Sequence, residues 1–156
     1  MIYLIGGAPR VGKTTLAKMI MVRKQIPFLC TDLVRDAINE AFPNLNITSS
    51  EWKERAKNFE PVFKSLIKNS KASFTDFVVE GDIFFPAQVD GLKDKDVKCC
   101  YLGIGQNGEQ KDIPEWVISR SEELKEECSK YAIAYFDVSK DREAQLERAY
   151  SELIGA

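Results

Sequence analysis

The sequence contains no histidine, so any general base must be an aspartate or glutamate, or failing those a lysine, cysteine or tyrosine. Cysteines are few: four, at positions 30, 99, 100 and 128, with no Cys-x-x-Cys spacing. Neighbours on a strand point to opposite faces, so Cys99 and Cys100 suit neither a zinc site nor a bridge to each other. Cys30 and Cys100 read as small buried apolar residues. No apolar run approaches the roughly 20 residues of a membrane helix, and Ile2 to Ile5 is too short for the core of a signal peptide. The expectation is a cytoplasmic protein with no membrane partner. Positive charge is not in excess either: 22 Lys and Arg face 24 Asp and Glu, a net charge of −2. That balance argues against non-specific nucleic-acid binding. Repeats, linkers and low-complexity stretches are missing.

What is present is an ordinary globular mix, 44% apolar and 29% charged over 156 residues. Such a length predicts a single domain, residues 1–156, with its own core. Ile2 to Ile5 reads as a buried parallel strand ended by Gly6 and Gly7. A helix from Lys13 carries Leu16, Ala17, Met19 and Ile20, and a second short strand spans Ile26 to Cys30. Asp32 is placed to cap the next helix, with Leu33, Ala37, Ile38 and Phe42 along it. Phe42 to Ser50 reads as a loop. Glu51 to Ser70 has helical spacing in Trp52, Ala56, Phe59 and Phe63, and Pro61 should kink that helix or start a new one. Strands through Phe77–Val79, Val97–Leu102 and Ile133–Val138 alternate with helices over Ile113–Tyr131 and around Leu146–Leu153. The alternation predicts an α/β fold with a parallel sheet covered on both faces.

The run Gly7-Ala8-Pro9-Arg10-Val11-Gly12-Lys13-Thr14 fits G-x-x-x-x-G-K-[ST] without a gap. Glycines let backbone N–H groups turn around phosphate oxygens, and Gly12 permits an approach that a side chain would block. Lys13 supplies a positive charge for the β- and γ-phosphates. The Thr14 hydroxyl suits magnesium, and the helix beginning here points its positive dipole end at the anion. Thr15 completes the nucleotide-binding run. Arg10 either touches phosphates or braces the loop. The ligand implied is ATP with Mg²⁺, although a choice against GTP is not written here.

GTPase signatures are absent, since no Asp has Gly three residues later and no Asn-Lys pair occurs. The paired Asp-Glu usual in large ATPase machines after the third strand is missing too. What remains is the group of small P-loop kinases. From Gly6 to Ala17 the chain resembles the opening of nucleotide-kinase-like proteins. Asp32 after the second strand, Val79-Glu80-Gly81-Asp82 after the third and Tyr135-Phe136-Asp137-Val138-Ser139 before the last helix are similar as well. Shikimate kinase, chloramphenicol phosphotransferase, zeta-type toxins and 2-phosphoglycerate-kinase-like proteins share this plan. The resemblance implies a three-layer α/β/α P-loop NTPase fold, with a five-stranded parallel sheet in the order 2-3-1-4-5.

It also implies roles. Asp32, at the carboxyl end of strand two, would orient or deprotonate an acceptor hydroxyl or hold magnesium indirectly; a helix cap is the plainer alternative. Arg35, one turn on, would reach an acidic or phosphorylated acceptor, or is a plain surface arginine. Glu80 and Asp82 share a face of an extended strand end. They form either an acceptor-binding pair or a second shell for magnesium, with Asp82 the candidate metal residue beside Thr14. Arg120 falls in residues 104–131, where such kinases carry a lid. There it would neutralise the transferring phosphoryl group; otherwise it pairs with Glu123 and Glu127 along a solvated helix. Residues 42–73 should form the acceptor side. Trp52 and Trp116 are core or acceptor-pocket wall, with core preferred. The turn from Ser139 to Arg142 would flank adenine.

The leading expectation is an ATP-dependent kinase with catalytic Lys13, Asp32 and Arg120 and a small-molecule acceptor. The alternatives are an ATP-binding regulatory or scaffold protein without transfer, and a toxin-type kinase acting on a nucleotide sugar. Oligomeric state is left open.

Overall fold

Strand β1 (Ile2–Gly7) is buried throughout and lies at the centre of one five-stranded sheet, ordered β2-β3-β1-β4-β5. The structure is a computed structural model and describes residues 1–48, 51–106, 108 and 112–155. Every pairing is parallel: β1 runs beside β3 (Phe77–Gly81) and β4 (Val97–Gly103), β2 (Phe28–Cys30) beside β3, and β5 (Ala134–Asp137) beside β4. Parallel strands need crossovers, and the intervening helices supply them on both faces. The expected order and layering are those observed.

Alternation along β1 divides the core. Ile2 and Leu4 join Val79, Tyr101 and the inner residues of α3 (Trp52–Ser73), including Phe59 and Phe63. Tyr3 and Ile5 join Val78 and Leu102 on the other face. There they meet Leu16 and Ile20 of α1 (Lys13–Lys24) and Leu146 and Leu153 of α6 (Arg142–Ile154). Helix α5 (Glu115–Lys130) buries Val117, Ser121, Leu124 and Cys128. Phe63 stacks on Phe84 with centroids 4.7 Å apart.

Several expectations are corrected. Helix α2 (Thr31–Ala41) begins directly after β2, with Cys30 in the cap position and no side-chain cap. Asp32 therefore stands inside the first turn, where its charge meets the positive helix end without serving as the cap. Helix α3 continues through Pro61 and neither ends nor restarts there. Pro61 lies on the exposed side, so the Lys57 carbonyl left without an N–H partner faces water. A 3₁₀ turn (Pro43–Leu45) sits within the expected loop, of which Ser49 and Ser50 are outside the described residues. Strand β2 is shorter than expected, although the Pro27 carbonyl still accepts from the Val78 N–H at 2.9 Å. A short helix, α4 (Pro86–Asp90), was not expected. Pro86 opens it, and the Phe85 N–H donates to Gln88 Oε1 at 2.8 Å.

Cys100 is buried as expected, whereas Cys30 is only half-buried. Trp52 is core, but Trp116 is 50% exposed, so its assignment to the core was wrong. Among the described residues, no helix is long and apolar enough to cross a membrane.

Candidate active site

The phosphate loop takes its shape from the residues that join β1 to α1. A Cβ at Gly7, where φ is 145°, would run into the Leu102 carbonyl. Gly12, at φ 102°, occupies the cap position of α1 and leaves the helix N–H groups without a side-chain cap. Those donors and the helix dipole converge on one spot, which favours an anion. Arg10 adopts φ 68°, a left-handed conformation that a side chain seldom takes. Lys13 is buried, and its Nζ donates to the Ala8 carbonyl at 2.7 Å, drawing the ammonium across the inside of the loop.

The carboxylate ends of the strands face this loop. Thr14 Oγ1 donates to Glu80 Oε1 at 2.8 Å, and Glu80 is 1% exposed. Glu80 sits between Ile5 and Cys30 in register, at the end of the central strands. Burial and the nearby Glu80 charge push the Cys30 thiol up to about 11, so it stays a thiol at neutral pH. Between β3 and the first turn of α2 the packing is tight: a Cβ at Gly81 would lie 1.8 Å from the Thr31 hydroxyl, so that side chain would have to shift.

Asp32 lies on the same side. Burial, and then the Asp82 carboxylate that shares a hydrogen bond with it, push its pKa up to about 6, against the pull of Arg35 and Lys13. Arg35 holds this pair together. Its guanidinium, with the side chain 16% exposed, lies 3.5 Å from Asp32, 3.7 Å from Asp82 and 2.8 Å from Asp36. Asp32, Arg35 and Asp82 thus form one cluster at the ends of β2 and β3. Glu80, rather than Asp82, is the carboxylate against Thr14.

A cavity of about 320 Å³ joins these parts, lined by Pro9, Arg10 and residues 12–15 together with Asp32, Glu80 and Arg142. Arg142, the first residue of α6, is an addition to the expected phosphate-site residues. A Cβ at Gly12 would lie 3.0 Å from its Nη2. Arg142 also borders a second cavity of about 390 Å³ between α1 and α6, with Thr15, Met19 and Leu146 on its wall. The side chain expected near adenine therefore spans both spaces. Only its place in the turn, not its reach, was available from the sequence.

Magnesium fits this donor set. Among the described residues no group of three or more His, Cys, Asp or Glu could cage a metal. Magnesium needs no such cage, because it keeps waters and phosphate oxygens and takes one or two hard oxygen ligands from protein. Thr14, with Glu80 behind it, offers that arrangement.

Arg120 is elsewhere. Its guanidinium packs over the rings of Trp52 and Trp116, 4.4 and 4.8 Å from their centroids, and it does not line the loop cavity. The indoles of α3 and α5 hold it there, and no salt bridge with Glu123 or Glu127 forms. From Glu115 onward the expected lid is α5, whose inner face is fixed in the core. Asn107, Glu109, Gln110 and Lys111 of that segment lie outside the described residues. Arg55, not singled out from the sequence, stands on α3 one helical turn after Trp52.

No protein-family profile and no curated protein matches the sequence. Solved structures do match in shape. A shikimate kinase from Bacteroides thetaiotaomicron is 15% identical, covers 100% of this chain and 99% of its own, and superposes with a TM-score of 0.59. A shikimate kinase from Aquifex aeolicus is 14% identical, covers 99% and 97%, and gives 0.60. A gluconokinase from Sinorhizobium meliloti is 15% identical, covers 97% and 90%, and also gives 0.60. End to end, the chain has the fold of the small P-loop kinases.

Proposed function

We propose that this protein is an ATP-dependent phosphotransferase acting on a small-molecule acceptor. The observation that carries the reading is that Asp32, a carboxylate of raised proton affinity, lines one cavity with Lys13 and Thr14. A nucleotide-binding loop alone serves many purposes. A carboxylate across the cavity from it, able to take a proton near neutral pH, is what transfer to a hydroxyl requires.

The loop N–H groups and the α1 terminus hold the phosphates. Lys13 exchanges the Ala8 carbonyl for phosphate oxygens, and Arg142 adds charge from the α6 side. Magnesium, held by the Thr14 hydroxyl with Glu80 and Asp32 behind it, would offset negative charge on the β- and γ-phosphates. Asp32 orients the acceptor hydroxyl and takes its proton. The hydroxyl oxygen bonds to the γ-phosphorus as the bond to the bridging oxygen breaks, and ADP leaves. Arg35 fixes Asp32 and Asp82 so that the carboxylate is already aligned. The second cavity, beside Thr15 and Leu146, suits the base and ribose. A cytoplasmic setting fits an ATP-consuming enzyme, and the net charge of −2 favours a small acceptor over nucleic acid.

A regulator that binds ATP without transfer has one observation in its favour, the distance of Arg120 from the loop cavity. Arg142 and Asp32 weigh against it. The test is ADP release from magnesium-ATP in the presence of pooled sugars, sugar phosphates, hydroxy acids and nucleosides, with Lys13→Ala alongside. A pool that stimulates only the intact protein supports transfer. ATP binding without stimulation by any pool supports the regulator.

A further inference from the structure

We propose that Arg10 is a catalytic residue of the transfer, its guanidinium donating to the γ-phosphoryl group and to the oxygen that bridges it to the β-phosphate. The inference rests on the phosphotransferase reading and adds a residue to it. The loop turns through positive φ at three places, 145° at Gly7, 68° at Arg10 and 102° at Gly12. Glycine fills the outer two without a steric penalty. The middle one carries a long side chain in a region where a Cβ crowds the following carbonyl. Its neighbours hold the backbone there. Ala8 and Val11 are fully buried in the core beneath the loop, and the Pro9 ring fixes φ just before it. Strain of this kind persists where the surroundings over-determine the backbone, and it gathers at active sites.

What the strained position delivers is an open cation. Arg10 is exposed and lines the cavity of about 320 Å³ that holds Lys13, Thr14, Asp32 and Glu80. It forms no ion pair and no side-chain hydrogen bond with any described residue, so it does not brace the loop. Other cations nearby are engaged. Lys13 Nζ donates to the Ala8 carbonyl inside the loop, and Arg35 answers three carboxylates. Arg120 lies over two indoles, away from this cavity. Arg142 shares the cavity but also borders the second one, which suits the base and ribose, whereas Arg10 does not. That places Arg142 towards the nucleoside and leaves Arg10 for the transferring end.

During transfer the γ-phosphorus leaves the bridging oxygen for the acceptor oxygen, the acceptor proton passes to Asp32, and ADP departs with the electron pair of the broken bond. Negative charge grows on the bridging oxygen. A guanidinium stabilises that charge through its N–H donors without gaining or losing a proton. Because the charge is larger in the transition state than in bound ATP, the effect falls on turnover more than on binding.

The strain separates catalysis from support of the loop. Glycine suits φ 68° better than arginine, so Arg10→Gly should melt at or above the wild-type temperature. Its kcat should nevertheless fall by about a hundredfold or more. Arg10→Gln, which keeps length without charge, should lose a similar factor, and Arg10→Lys should recover part of it. The KM for ATP and the affinity for ADP should change by less than about threefold in all three variants. The measurements are thermal melts, ADP binding by calorimetry, and steady-state transfer by the full chain from magnesium-ATP to the acceptor found by ADP release. Wild-type kcat in both Arg10→Gly and Arg10→Gln overturns this proposal and leaves the phosphotransferase reading standing. Lost turnover accompanied by a lower melting temperature and weaker ADP binding also overturns it, since that pattern marks a brace. No transfer by wild type to any pool removes the phosphotransferase reading and this one together.

Discussion

Thr14 and Glu80, 66 residues apart in the chain, meet in a hydrogen bond of 2.8 Å on the wall of the loop cavity. One residue opens α1 and the other ends β3, so the bond fixes the Thr14 hydroxyl relative to the sheet. It also gives a buried carboxylate one of the donors it needs.

Thr14→Val should therefore do two things. Magnesium-dependent turnover should fall by about a hundredfold, as for removal of one group that stabilises transition-state charge. Stability should fall by about 1–3 kcal/mol, because Glu80 loses a buried partner. A magnesium titration of activity checks the first and urea unfolding the second. Glu80→Gln keeps an oxygen facing Thr14 and should be the milder change in stability.

Asp32 makes activity depend on pH in a defined direction. Its pKa is pushed up to about 6, so the ionised base is lost as pH falls through 6 and kcat should fall with it. Asp82→Asn removes a charge that raises this pKa and should shift the acid limb of the profile to lower pH. Arg35→Gln removes a charge that lowers it and should shift the limb to higher pH. A pH–rate profile of the three proteins decides the matter.

The same shift predicts a trade of stability for function. A carboxyl whose folded pKa lies above its unfolded value of 3.8 binds more protons when folded between about 4 and 6. Its contribution becomes less favourable as pH rises through that window. Asp32→Asn should then melt higher than wild type at pH 7 and gain little at pH 4. Thermal melts at the two pH values provide the measurement, and an equal change at both would remove the argument.

Gly81→Ala should destabilise by about 1–3 kcal/mol or more, because the added methyl meets the Thr31 hydroxyl at the joint of β3 and α2. Both residues are buried there. Urea unfolding measures it. Gly91→Ala, where the nearest atom to an added Cβ is 3.6 Å away, serves as the tolerated control.

Arg142→Ala should raise the KM for ATP and lower turnover, with melting temperature little changed, since the side chain borders two open cavities. Steady-state kinetics with varied ATP separates this from a structural effect. Unchanged constants would mean that the arginine merely borders the loop.

Local signals made much of this legible. The phosphate loop is eight consecutive residues whose glycines and lysine carry their own reasons. The apolar strands gave the sheet, and resemblance gave its order. What the sequence could not place was reach across space. Arg120 lies on α5 as expected, yet its direction depends on Trp52, a residue of another helix. Arg55 looked like any charged residue beside an apolar stripe, although it falls three positions after Trp52. Asp32 missed the cap by two residues because β2 and α2 join without a loop. Helix α4 is too short for periodicity to reveal, and only Pro86 with Gln88 marked its start.

The central claim is that Asp32 serves γ-phosphoryl transfer from the nucleotide held at Lys13. The most direct measurement follows labelled γ-phosphate from magnesium-ATP in a single turnover, with the acceptor found by ADP release, for wild type and Asp32→Asn. The account predicts label in the acceptor with wild type, and a loss of about a hundredfold or more in the variant with ATP affinity unchanged. Transfer by Asp32→Asn at the wild-type rate, or label reaching only inorganic phosphate in wild type, would contradict it.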